Sequence, residues 1–285
     1  MAEIYTSEAG ARAIRERTLE LLARWPVPCQ HLRVPTREGE TFVVACGPKS
    51  APPLVLLHGS GATSVTWIGD VEAWSAHFRV YAVDQIGEPG LSARSRPALA
   101  SDAHALWLDD VLGALSVERA SFAGVSLGGF LALDYASRRP ERVERVAVFC
   151  PGGVGRQRIG FLFKVVPLLL LGRPGRRAAL RIALGGAPGG APASPAEDAM
   201  ADYLTLIFAS FRPRRETLPQ LGDEALARLT MPVLAVLGAR DAMLDSADTA
   251  RRLARAVPHA EVVVLPGVGH LIRDQTKRVL DFLLR

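Results

Sequence analysis

Gly124-Val125-Ser126-Leu127-Gly128-Gly129 reads GVSLGG. It lies between an apolar run, Ala120-Ser121-Phe122-Ala123, and a stretch that looks helical, Phe130-Leu131-Ala132-Leu133-Asp134-Tyr135. The pattern predicts a strand, a tight turn and a helix, with a polar serine at the join. Glycine two residues before and two after the serine removes side chains where the turn is crowded. Two explanations compete. The glycines serve sterics alone, or they clear space around a serine whose hydroxyl is a nucleophile. The rest of the sequence has to choose.

Outward from this turn the chain alternates. Residues 7–24 have helical spacing, and His31–Val34 and Thr41–Ala45 read as two short strands about the turn Thr36-Arg37-Glu38-Gly39. Leu54-Val55-Leu56-Leu57 is a continuous apolar run ending at His58-Gly59, as for a strand buried on both faces. A helix is expected over Val65–His77, then a strand over Arg79–Asp84. A helix over Asp102–Ser116 and the strand Ala120–Gly124 follow, then a helix over Leu127–Ser137 and a strand over Val143–Phe149. This is the pattern of a parallel sheet covered on both faces. Residues 154–220 break the rhythm and show no strand. They hold two apolar, Arg-rich stretches, a Gly/Pro/Ala segment over 185–196 that reads as a flexible elbow, and a helical stretch near 197–210. The alternation resumes with Pro232–Gly238, Ser246–Val257, Glu261–Leu265 and a last helix over Leu271–Leu284.

The bulk properties narrow the classes. With 285 residues, 49% of them apolar, the chain suits one large α/β domain or two modest ones. The net charge of +5 comes from 34 basic and 29 acidic residues, and the arginines are spread rather than clustered. A nucleic-acid partner needs a clustered basic face, so none is expected. Cys29, Cys46 and Cys150 are too few and too scattered for a disulfide scaffold or a zinc site. The first residues are charged and carry no apolar core of a secretory signal. Phe161–Leu171 comes nearest to a membrane span, but Lys164 and Pro167 interrupt it. The expectation is a cytoplasmic protein with no stable membrane insertion; a homodimer is left open.

In an open parallel sheet, functional residues gather at the carboxyl ends of the strands. Five positions fall there: His58-Gly59-Ser60, Asp84, Ser126, Asp241 and His270. A serine hydroxyl needs an adjacent base, and His270, closing Leu265-Pro266-Gly267-Val268-Gly269-His270, is the candidate. Asp241, just past Gly238-Ala239-Arg240, is the candidate to orient that imidazole and stabilise its protonated form. Asp245 is its rival, and the position directly after Gly-Ala-Arg favours Asp241. An oxyanion hole requires two backbone N–H groups. Leu127 N–H, at the positive end of a helix, is one candidate, and Ser60 N–H is the other.

These marks together resemble the α/β-hydrolase superfamily over nearly the whole chain: VLLHGSG (55–61), VDQIGEPGLS (83–92), GVSLGG (124–129), LGARD (237–241) and LPGVGH (265–270). The N-terminal layout, a helix and then WPVPCQHLRVPTREGETFVVACG, is more particularly similar to bacterial carboxylesterase-like members. The resemblance implies an α/β-hydrolase fold: a mostly parallel eight-stranded sheet flanked by helices, with an inserted helical cap. The core would comprise residues 1–150 and 221–285, and the cap 151–220. It also implies a serine hydrolase of small or medium carboxylic esters, using Ser126, Asp241 and His270 with Ser60 and Leu127 as oxyanion donors, and no cofactor or metal. A carbon–carbon bond hydrolase, a thioesterase, and an acyltransferase or cyclase would share the same three residues. A non-catalytic ligand-binding protein on this fold is the rival from another class.

Plainer roles are assigned to other residues. His58 braces the oxyanion loop, because its chain order is wrong for a base. Asp84 fixes a turn through backbone hydrogen bonds. Glu88 reads as a solvated loop residue in preference to a pocket-lining one, and Trp67 as packing or a pocket wall. His31, His77, His104 and His259 read as surface residues without metal spacing. The apolar stretches Phe161–Phe163 and Leu168–Leu171 are expected inside the cap or over a pocket, in preference to a membrane-surface helix.

Overall fold

The turn at Ser126 joins β5 (Ala120–Val125) to α4 (Leu127–Arg138), as its spacing predicts. The computed structural model describes residues 4–185 and 195–285, the side chains of 195–197 excepted. β5 is a central strand of an eight-stranded sheet. The others are β1 (Cys29–Thr36), β2 (Gly39–Cys46), β3 (Pro53–Leu57), β4 (Arg79–Val83), β6 (Val143–Phe149), β7 (Val233–Gly238) and β8 (Glu261–Leu265). Their order across the sheet is β1-β2-β4-β3-β5-β6-β7-β8. β1 and β2 form an antiparallel hairpin, and β2 runs antiparallel to β4. Every other pairing is parallel.

Side chains alternate across the sheet, and both faces are covered, which is why these strands read as apolar runs. Leu54 and Leu56 join Phe42, Val44, Val80 and Ala82 on one face. There they meet α1 (Glu8–Leu22), a 3-10 turn (Ser64–Trp67), α2 (Val71–Ser75) and α10 (Thr276–Leu283). Val55 and Leu57 join Val43, Ala45 and Phe122 on the other, under α3 (Ala103–Ala114), α4, α8 (Asp223–Ala227) and α9 (Ser246–Ala256). Leu56 is fully buried, and its truncation to Ala would cost about 2–5 kcal/mol. Trp67 packs on Trp74 and Phe149 at ring separations of 5.7 and 6.3 Å, the packing role expected of it.

Between β6 and β7 lie α5 (Leu162–Leu169), α6 (Gly172–Leu184) and α7 (Pro195–Ser210). α5 packs on α6, α6 on α7, and α7 on α1. The Tyr203 hydroxyl on α7 meets Thr18 Oγ1 of α1 at 2.7 Å and Thr63 Oγ1 at 3.1 Å. Most of the predicted elbow, residues 186–194, lies outside the described residues.

Three elements depart from expectation. The helix predicted over 65–77 is a 3-10 turn and the short α2, with Gly69 between them where helix propensity is poor. The last helix begins at Thr276 rather than Leu271: the Leu271 N–H is donated to Leu184 O at 2.8 Å, and Asp274 adopts φ +58°. α8 was not anticipated, since five residues are too short to show a helical period.

Candidate active site

Ser126 sits at φ +52°, ψ −109°, a backbone region that a non-glycine residue occupies only when its surroundings impose it. The surroundings are on either side. Ser126 N–H donates to Phe149 O at 2.9 Å, while Ser126 O accepts from Phe130 and Gly152 N–H at 2.9 and 3.1 Å. A Cβ on Gly124 would collide with the Gly128 carbonyl, and one on Gly128 with the carbonyls of Leu57 and His58. So the steric need for glycine is real, and it is also what holds the serine in its strained turn. The first explanation of GVSLGG, sterics, holds in this structure.

The parallel register carries the other candidates to the same edge of the sheet. Leu57 pairs with Gly124, Val125 with Phe149, Phe149 with Val236, and Gly238 with Leu265. Ser60, Ser126, Asp241 and His270 all follow the carboxyl ends of these adjacent strands. Asp241 and His270 are 2% and 4% exposed, and His270 Nδ1 lies 2.7 Å from Asp241 Oδ2. A carboxylate only accepts, so Nδ1 carries the proton and Nε2 is left as the basic nitrogen. The other carboxylate oxygen, Oδ1, accepts from Met243 and Leu244 N–H at 2.8 and 3.0 Å. Burial pushes the Asp241 carboxyl up, but the His270 bond and charge and these two N–H groups outweigh it. The acid lies below its ordinary value and stays ionised.

Asp245 is engaged elsewhere. It caps α9 by accepting from Asp248 N–H at 3.1 Å, and it pairs with Arg158 and Arg156 at 3.3 and 3.7 Å. The Asp248 N–H, then the two arginines, hold its carboxyl below the usual range.

The loop after β3 passes directly over the serine: a Cβ on Gly59 would lie 3.6 Å from Ser126 Cβ. Ser60 follows in that loop. Leu127 is the first residue of α4, so its N–H has no intrahelical acceptor and faces the helix's positive end. His58 braces the loop, as expected. Its Nε2 accepts from Gln85 N–H at 3.0 Å, which leaves the proton on Nδ1, 2.8 Å from Gly59 O. Both nitrogens are occupied, and burial keeps the ring neutral. Asp84 accepts from Ser64 and Leu91 N–H at 2.7 and 2.9 Å, the turn-fixing role assigned to it.

Glu88 is a correction. It is buried, not solvated, and its Oε2 accepts from Ser60 Oγ at 3.0 Å and Gly61 N–H at 2.8 Å. Arg214, from the chain after α7, lies 3.8 Å from its other oxygen. Burial pushes the Glu88 carboxyl up; the Gly61 and Ser60 bonds and the Arg214 charge oppose this without cancelling it. His104 is buried beside Arg214 rather than on the surface, and burial followed by that charge lowers it to about 4. His31, His77 and His259 are exposed, as expected.

The sequence marks Cys150 only as one of three scattered cysteines and does not place it beside the Asp241–His270 pair. It sits at φ +39° after β6, and its Sγ accepts from Gly238 N–H at 3.4 Å. Burial, then the Asp241 carboxylate, push its thiol far up, so it stays protonated and unreactive. Cys150, Asp241 and His270 present potential metal-ligand atoms within 4.8 Å of one another. A metal at these atoms would compete with the bonds that Asp241 already makes to His270, Met243 and Leu244.

Known proteins are similar to this chain along most of its length. The chain is 31% identical to carboxylesterase YbfK of Bacillus subtilis, over 92% of this chain and 90% of that protein. The crystal structure of carboxylesterase CesB (YbfK) from B. subtilis superposes with a TM-score of 0.82, at 30% identity, covering 96% of this chain and 98% of that one. Naproxen esterase (carboxylesterase NP) from B. subtilis superposes at 0.79 and 28% identity, covering 94% and 96%. The model of the alpha/beta hydrolase family matches residues 54–282. With its eight-stranded, mostly parallel sheet and its strained serine turn, the chain belongs to the alpha/beta hydrolase family.

Proposed function

We infer that this chain is a serine hydrolase of carboxylic esters. The observation that carries the reading is the buried His270–Asp241 hydrogen bond at the same sheet edge as the strained Ser126. Similarity to two carboxylesterases over nine-tenths of the chain supports it.

Ser126 Oγ attacks the ester carbonyl while His270 Nε2 takes its proton, and Asp241 stabilises the resulting imidazolium. The carbonyl oxygen becomes an oxyanion, held by the N–H groups of Ser60 and Leu127. Each such donor is worth roughly 2.7–4 kcal/mol of barrier. His270 then gives its proton to the departing alcohol. Water, activated by the same nitrogen, hydrolyses the acyl-enzyme and frees Ser126. His58 takes no part as a base, because both its nitrogens are committed to the backbone.

In this reading residues 1–150 and 221–285 form the catalytic core, and residues 151–220 form a helical cap over the edge that bears the site. Two backbone bonds support that assignment. Arg158 N–H donates to Met243 O at 2.7 Å, two residues past Asp241, and Leu271 N–H, next to His270, donates to Leu184 O at the end of α6. The substrate is a small or medium ester with apolar parts.

The test is hydrolysis of a chain-length series of p-nitrophenyl esters by the wild type and Ser126→Ala. Removal of a nucleophile that works with a base lowers kcat by on the order of 10⁶-fold. Equal rates in the two proteins would refute the assignment. The preferred chain length measures the acyl pocket.

A further inference from the structure

The apolar residues of the segment after β6 were expected to be covered, and one face of α5 is not. Val165 is buried toward α6, but Phe163 is 83% exposed, Val166 55%, and Leu170, just past the helix end, 87%. These three follow one another at the three- and four-residue spacing of a single helical stripe. Ile159, Leu162 and Leu171 are also exposed beside it. Scattered exposed apolar side chains are ordinary, whereas a contiguous patch of large ones marks an interaction surface.

The charge of the segment that carries the patch has one sign. Pro151 to Ala196 contains no Asp or Glu. Lys164 lies on α5, and Arg173, Arg176, Arg177 and Arg181 lie on α6. Arg173 and Arg177 are paired with Asp202 of α7. Lys164, Arg176 and Arg181 add positive charge beyond that pair. A second copy of this chain docked on the same face would bring these cations together, a juxtaposition that opposes association. An anionic surface with an apolar interior meets both features at once. The helices are also held as a platform, since the Met243–Arg158 and Leu184–Leu271 backbone bonds tie the segment to the loops after β7 and β8.

We propose that the exposed α5 face and the cations of α5 and α6 form a docking surface for an anionic lipid bilayer. Phe163, Val166 and Leu170 enter the boundary between headgroups and acyl chains, and the lysine and arginines meet the phosphates. Attachment is peripheral and reversible, and no described helix is long and apolar enough to cross a membrane.

The test is co-sedimentation of the full chain with vesicles of phosphatidylcholine alone and of equal parts phosphatidylcholine and phosphatidylglycerol. The wild type should favour the anionic vesicles by about tenfold or more at low salt, and lose that preference at high salt. Phe163→Ser with Leu170→Ser should lower binding roughly tenfold. Lys164→Gln with Arg181→Gln should lower it on anionic vesicles alone. All four side chains are exposed, so thermal unfolding monitored by circular dichroism should be unchanged, which separates lost docking from lost fold. Equal sedimentation with both vesicle types, or full binding by the Phe163/Leu170 double variant, would overturn the proposal. So would a dimer in analytical ultracentrifugation that the same double variant abolishes, with no vesicle binding by the wild type; that result would assign the face to a second copy.

Discussion

Asp241→Asn tests the candidate acid–base pair through a proton rather than a shape. Asn is nearly isosteric with Asp, but it has one acceptor oxygen where Asp has two. In the native site both oxygens accept: Oδ1 from Met243 and Leu244 N–H, and Oδ2 from His270. The two backbone donors cannot move without breaking the loop after β7, so they claim the single amide oxygen of the variant. The amide NH₂ is then turned toward His270 Nδ1. That nitrogen must become an acceptor, and the imidazole proton shifts to Nε2, the atom that receives the serine proton in the proposed mechanism. The base is thereby lost with little change in packing. A wrong tautomer of this kind lowers kcat about 10⁴-fold, equivalent to about 5.4 kcal/mol of barrier. The assay is steady-state hydrolysis of p-nitrophenyl butyrate, with Asp245→Asn as the matched control. Asp245 caps α9 and pairs with exposed arginines; Asn caps as well as Asp, so its variant should lose little stability and little activity. Activity lost in Asp245→Asn and kept in Asp241→Asn would refute the reasoning.

Three buried sites, Glu88, Gly124 and Cys150, give the remaining outcomes. Glu88→Gln keeps one oxygen that can accept from both Ser60 and Gly61, so kcat should change little, but it leaves Arg214 without its buried partner. Glu216 remains 3.8 Å from the guanidinium, and burial already disfavours the ionised Glu88 in the fold, so the urea midpoint at neutral pH should not fall; a loss of about 3 kcal/mol would refute the direction assigned to the Glu88 carboxyl. The same substitution should alter the pH dependence of stability. A carboxyl raised by burial binds its proton more tightly when folded, so wild-type stability falls as pH rises from the ordinary carboxylate value through the raised one. Glu88→Gln should flatten that fall in a melting series across pH, and an unaltered slope would place the titration elsewhere. Gly124→Ala forces a Cβ into the Gly128 carbonyl and should destabilise by about 3 kcal/mol or more, measured by denaturant unfolding. Cys150 should resist iodoacetamide in the native protein while half-buried Cys29 reacts faster, with all three cysteines labelled after unfolding; rapid native labelling of Cys150 would contradict its burial.

Much of the fold was legible because its causes are local. Parallel strands buried on both faces must be apolar throughout, so Leu54–Leu57 and Val233–Leu237 declare themselves. Short elements were not legible: α2 and α8 have five residues each, too few for a period to emerge. Glu88 was misread because an acidic loop residue is ordinarily solvated. Only burial by residues distant in the chain, Arg214 among them, makes it a buried acceptor.

By itself the sequence determined the turn and its setting. Gly124 and Gly128 are required wherever a strand, a strained serine and a helix succeed one another so closely, because backbone there occupies the space of a Cβ. The order of Ser126, Asp241 and His270 at strand ends came with it. The tertiary structure alone decided which aspartate meets the histidine, for Asp241 and Asp245 differ in direction and partners rather than in type. It alone decided that Phe163 and Leu170 face solvent instead of a core. An apolar helix records that something must cover it; which neighbour does so depends on how distant segments pack, and no local pattern carries that information.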